Sequence, residues 1–192
     1  MNQTLIEMGV CEAILARRSV REFTSQKVDA KRIRSLIEAA VMAPISQLDE
    51  LRAFVIIQDA QLLKAISDST KSKLGPLLAP KAKDHTAFNS PEFNLFYGAS
   101  TLIVICADKN NAYAEANCWM AAENLMLAAQ AIGLGSCVVG DALTELNDGE
   151  RKVTLGILQD YQAVAPIAIG YPESNAIHRK RERPVILNWL ET

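Results

Sequence analysis

Apolar positions recur along this chain with two periods, and the two periods divide it into helices and strands. Between residues 4 and 17, Leu5, Met8, Ile14 and Leu15 are separated by polar positions in a helical pattern that runs into a basic cluster. Asp29 has the chemistry of an N-cap, and after it Ile33, Leu36, Ile37, Ala40 and Val41 recur at three and four until Pro44. That second helix should bury one face. "AFVIIQ", 53–58, reads as a strand, and "DAQLLKAISDST" as a short helix starting at Asp59. "STLIVICA", 100–107, is apolar almost without a break, as a strand buried on both faces must be. From Ala114, "AEANCWMAAENLMLAAQAIGLG" has only Glu115, Asn117, Glu123, Asn124 and Gln130 as clearly polar positions. A helix apolar nearly all round lies in the centre of a domain or between subunits. Gly133 and Gly135 end it; "SCVVG" follows as a short strand, "LTELNDGERKVTLGIL" is helical in parts, and "AVAPIAIGYP", 163–172, is the last strand.

From Lys71 to Glu92 the periodicity is lost among lysines, small residues, Gly75, Pro76, Pro80 and Pro91. This predicts a surface excursion over 71–92, of the kind that serves as a lid or binding segment. Helices and strands mix without strict alternation, which favours an α+β layer over a doubly wound sheet.

The chain has 192 residues, 49% hydrophobic and 22% charged, as expected for one domain over 1–192 with a real core. A net charge of -2 argues against a general nucleic-acid or membrane-surface binder, so any anion site must be local. Cys11, Cys106, Cys118 and Cys137 form no C-x-x-C pair, and two histidines make no convincing zinc set; no metal is expected. The opening "MNQTLIEMGVCEAIL" carries acid where a secretory signal is basic, and no stretch approaches the roughly 20 apolar residues of a membrane span. The expectation is a cytoplasmic protein.

Two local concentrations of positive charge stand out: Arg17, Arg18 and Arg21 around Ser19 in "LARRSVREF", and Arg179, Lys180, Arg181 and Arg183 late in the chain. Taken alone, a charge run is more often a solvated face. The order of other segments changes that weighing. "ILARRSVREF", "LIEAAVMAP", "AFVIIQD", the small-residue helix ending "AIGLGSCVVG", and "LGILQDYQAVAPIAIGYP" with a basic tail before Pro184 together resemble the FMN-dependent nitroreductase family, from about Ile14 to Trp189.

The resemblance implies an α+β fold around a mostly antiparallel sheet, an intertwined homodimer, and one FMN in each of two sites at the subunit interface. It also implies a C-terminal arm, here "VILNWLET" after Pro184, that reaches across the partner. The two basic segments then converge on the FMN phosphate: Arg17, Arg18, Ser19 and Arg21 from the first, Lys180, Arg181 and Arg183 from the second. Arginine forks offer a phosphate two donors at once, and the serine hydroxyl adds a third contact. In "GLGSCVVGD" the absence of side chains at Gly133, Gly135 and Gly140 permits close approach of a flat ring, and the resemblance places the Val139 and Gly140 amides near its reactive edge. No catalytic side chain is required, because the flavin carries the redox chemistry and NAD(P)H supplies the electrons. The implied activity is electron transfer from NAD(P)H to a small planar acceptor such as a nitroaromatic or a quinone.

The chain departs from the family at 45–52. Where an Ala-Pro-Ser, an asparagine and a Gln-Pro-Trp stretch are usual, Ile45, Leu48, Glu50 and Arg52 stand in place of the serine, asparagine, glutamine and tryptophan. Ser46 and Gln47 are the polar residues available to replace those contacts. The loss motivates a rival expectation, a dimer of the same fold that binds flavin weakly or without turnover and has a non-catalytic, regulatory or binding role. Cys118 and Trp119 are expected in the core, His85 and His178 to be incidental, and Phe88, Phe93, Phe96 and Tyr97 either to wall the flavin or to pack the excursion onto the body.

Overall fold

The computed structural model describes residues 8–45, 52–78, 90–174 and 181–191. Helix α1 is Val10–Ala16, with Ala13 alone buried among its residues. Helix α2, Ala30–Val41, starts as the sequence predicts: Asp29 Oδ1 accepts the Arg32 amide at 2.9 Å, and the Arg32 guanidinium pairs with the same carboxylate. Ile33, Leu36 and Ala40 form its buried stripe. After strand β1, Ala53–Ile57, Asp59 Oδ1 accepts the amides of Gln61 and Leu62 at 2.8 and 3.0 Å and so begins helix α3.

Helix α3 is Ala60–Leu78 and includes Pro76, so residues 71–78 of the expected excursion are helix instead. Tertiary anchors outweigh the local breakers. Lys71 Nζ donates to Phe93 O at 2.8 Å, Lys73 Nζ lies 2.7 Å from the Glu145 carboxylate, and a proline so near the helix end forfeits only one ladder bond. Of the remainder of the expected excursion, 79–89 lies outside the described residues, and 90–92 begin a turn without helix or strand.

Strands β2, Thr101–Asp108, β3, Gly135–Val138, and β4, Tyr161–Gly170, join β1 in a wholly antiparallel sheet of order β1-β2-β4-β3. Being interior strands explains the unbroken apolar runs of β2 and β4. Alternate residues of β2 face opposite sides: Ile103, Ile105 and Ala107 meet α2 and the long helix α4, Ala114–Ala131, while Leu102, Val104 and Cys106 meet α3 and the 95–99 segment. Ala121, Ala122 and Ala129 of α4 are fully buried, as expected of a helix lying in the centre of the domain, while Ala116 on its other face is exposed. Gly133, at φ +76°, takes the left-handed position that ends α4, and Leu134 N bonds back to Ala129 O at 2.9 Å. Two short helices, α5, Leu143–Leu146, and α6, Gly149–Leu155, lead into β4.

Candidate functional site

Where α1 stops, the chain runs alongside the far end of the sheet, and this placement builds the site. Ser19 forms a parallel bridge with Ser136 of β3, and Val20 N donates to Ser136 O at 2.9 Å. Phe23 pairs antiparallel with Pro172, Thr24 N donates to Tyr171 O at 2.9 Å, and Glu173 N donates to Glu22 O at 3.0 Å. Ser174 Oγ closes the zip on Glu22 Oε2 at 3.0 Å. The segment is thus clamped between β3 and the exit of β4.

Two glycines make that clamp possible. A Cβ on Gly135 would stand 2.8 Å from Val20 Cγ2, and one on Gly170 would stand 2.9 Å from Phe23 Cδ1. Gly135 therefore serves the approach of the 17–23 segment, and Gly133 serves the helix end. Gly140 differs. It is exposed, opens the turn Gly140–Ala142, and has no atom within 4 Å of where a Cβ would be.

The clamp fixes the first basic cluster. Arg17 is mostly buried, with Nε 3.7 Å from Glu123 Oε1 of α4. Arg18 Nη1 donates to Leu15 O and Arg17 O, each at 2.7 Å, a cation on the carbonyl end of α1. Ser19 and Arg21 are exposed. The Arg21 guanidinium carbon lies 5.9 Å from the centroid of the Tyr97 ring. Burial pushes the Cys137 thiol up while Arg21 and Arg17 pull it down, so both guanidinium groups act on one point of β3. Of the two expected amides, that of Val139 already donates to Pro166 O at 2.9 Å, an extension of the sheet. Gly140 is the more accessible of the two.

Arg181 and Arg183 are exposed, in a stretch without helix or strand. Beyond them Val185, Leu187, Trp189 and Leu190 are also exposed, Leu187 at 95%. Within one chain the structure brings the segment of Arg17, Arg18, Ser19 and Arg21 alongside β3, and among the described residues no hydrogen bond or ion pair joins Arg181 or Arg183 to it. Ser46, Gln47 and Lys180 lie outside the described residues, as do Leu48, Glu50, His85, Phe88, His178 and Arg179.

Two residues acquire roles the sequence did not reveal. Arg52 points to the end of α2, donating to Ala43 O at 3.0 Å and Val41 O at 3.2 Å. Its signal was positional, a cation shortly after a predicted helix end. Tyr97 has φ +57° in a turn that Asn94 builds, and its only herald was the following Gly98, also left-handed at +77°. Phe96 is buried, and Phe93 meets Tyr97 edge-on at 6.0 Å, so these aromatics pack the 93–97 segment onto the body. Cys118 is in the core as expected, whereas Trp119 is 36% exposed. Trp119 and Met120 lie together on the face of α4 turned away from the core, since neighbours on a helix are about 100° apart. Among the described residues no group of metal-binding side chains occurs, and no helix is long and apolar enough to cross a membrane.

Comparison with known proteins agrees with this frame. The model of the nitroreductase family matches residues 14–171. An Archaeoglobus fulgidus protein, provisionally named an NADH dehydrogenase/NAD(P)H nitroreductase, is 26% identical over 165 residues, covering 83% of each chain. The Synechocystis protein DrgA is 30% identical over 192 residues, covering 91% of this chain and 89% of its own. A nitroreductase from Bacteroides fragilis, solved with bound FMN, superposes with a TM-score of 0.81 at 24% identity, covering 96% of this chain and all of that one.

Proposed function

This chain belongs to the nitroreductase family, and from that premise we propose that it is an FMN-dependent oxidoreductase that takes electrons from NAD(P)H and delivers them to a small, planar, electron-poor acceptor such as a nitroaromatic or a quinone. One observation supports the reading above the rest: the bridge between Ser19 and Ser136 holds the segment that carries three arginines and a serine hydroxyl against β3, the strand that leads to the exposed Gly140. Arg17, Arg18, Ser19 and Arg21 would hold the phosphate end of FMN, with Arg181 and Arg183 joining them from the late basic segment. Forked donors suit a phosphate better than point charges do. FMN supplies the hydride acceptance and donation when bound; the chain's task is to grip it, orient it and leave one ring face open, and stacking on that face selects flatness over identity.

We assign the exposed apolar arm, with Val10, Ile14 and Leu15 of α1, to the interface of a homodimer. Apolar surface on this scale is stable in water only when a partner covers it. The rival reading keeps the dimer but not the turnover. It is favoured by Arg52, which is occupied with the α2 carbonyls at the position where the family usually places a tryptophan.

The test is the colour of the purified protein. A flavin absorbance spectrum as isolated, or stoichiometric uptake of added FMN, supports the assignment. A colourless protein that takes up no FMN refutes it, and bound flavin that NAD(P)H never turns over favours the rival.

A further inference from the structure

Tyr97 occupies a backbone conformation that bulky side chains avoid, and no glycine or asparagine was used to relieve it. The turn around it is over-determined. Asn94 O accepts the Tyr97 amide at 2.9 Å, Asn94 Oδ1 accepts the Phe96 amide at 2.8 Å, and Ser67 Oγ, itself buried, accepts the Leu95 amide at 3.0 Å. Leu95 and Phe96 are buried to within 1%. The backbone is held on both sides, Phe93 meets the Tyr97 ring at 81°, and the group facing the ring is Arg21.

Arg21 differs from the other arginines of its cluster. Arg17 has Glu123 and Arg18 has the α1 carbonyls, but Arg21 is exposed and meets the ring at 5.9 Å, near the outer limit of attraction between a cation and an aromatic face. The phenol is close enough for Arg21 to oppose the upward push that burial and Cys137 give its pKa. The ring therefore meets the guanidinium at the β3 end of the site. An exposed arginine left to itself would sample many rotamers and lose that freedom on binding an anion.

We propose that Tyr97 is a positioning residue whose ring pre-orients the Arg21 guanidinium for the FMN site, the strained turn being kept because it aims the ring. The inference rests on the FMN reading above, and it adds a residue that touches neither the phosphate nor the reacting atoms.

The experiment is a double-mutant cycle read by FMN dissociation constant with the full-length protein, together with melting temperature. Tyr97→Asn removes the ring while suiting the left-handed backbone, and Tyr97→Phe removes only the hydroxyl. Tyr97→Asn should weaken FMN binding about three- to fivefold, as expected for loss of an exposed cation–ring contact, and Tyr97→Phe should weaken it less. In an Arg21→Ala background both changes should fall below about twofold, because their target is gone. A purely structural Tyr97 would instead lower the melting temperature and weaken FMN equally in both backgrounds, and that additivity overturns the proposal. If the unsubstituted protein binds no FMN, the function and this role fall together; if it binds FMN and the losses add, the pairing alone is refuted.

Discussion

Val20 donates its amide to the carbonyl of Ser136 at 2.9 Å, and through that bond a segment near the start of the chain is bridged to the outer edge of β3. The placement of the arginine cluster depends on it. The same relation makes Gly135 the sensitive point, because its missing side chain is the space Val20 fills. Gly135→Ala should cost about 1–3 kcal/mol, the usual range for overpacking, and should loosen the 17–21 segment. Thermal denaturation and FMN titration of the variant check this; a wild-type melting temperature with unchanged FMN affinity would show that the segment is not held here.

Arg18 is the arginine with the most complete set of contacts in the first cluster, both to carbonyls at 2.7 Å. Arg18→Ala should leave the fold intact and weaken FMN binding by about 1.5–3 kcal/mol, the worth of a charged hydrogen bond. Fluorescence quenching of FMN on titration gives the affinity directly. No change would take Arg18 out of the site.

Glu145 is 3% exposed and accepts from Ser69 Oγ at 2.7 Å and Arg151 Nε at 2.8 Å, with Lys73 Nζ at 2.7 Å. Burial pushes its carboxyl up, but Lys73, Ser69 and Arg151 outweigh burial and hold it below the ordinary value. A carboxyl depressed in the folded state contributes stability above its unfolded pKa and loses that contribution as the pH falls through the folded one. Glu145→Gln should therefore destabilise by about 3 kcal/mol near neutrality, since it strands cations around a buried site, and by much less near pH 3. Urea midpoints at the two pH values measure the difference; an equal loss at both would contradict the assignment.

The arm after Arg183 carries exposed Val185, Ile186, Leu187, Trp189 and Leu190. Removing 184–192 should shift the protein from dimer toward monomer in light scattering and lower flavin retention with it. A truncated protein that stays fully dimeric would place the interface elsewhere.

Much of the fold was legible because it follows from local rules. Asp29 and Asp59 are oxygen caps ahead of apolar periodicity, and the unbroken runs in β2 and β4 mark interior strands. The end of α3 was not legible, since Pro76 and Gly75 are breakers by local preference and the bonds of Lys71 and Lys73 that override them are long-range. In the site, the basic segment could be recognised as a pattern of residue types, but its partners could not. That Gly135 answers to Val20, that Arg52 caps α2 and that Arg21 faces Tyr97 are facts of tertiary approach, invisible to spacing along the chain.

The central claim is that the arginine cluster holds a flavin that NAD(P)H can reduce. Its most direct measurement is the visible spectrum of the FMN-loaded protein under anaerobic conditions during titration with NADH or NADPH. The account predicts that the oxidised flavin band bleaches with one equivalent of donor per flavin and returns when a quinone is added. A flavin that stays oxidised through an excess of both donors, although free flavin in the same cuvette is reduced by dithionite, would contradict it.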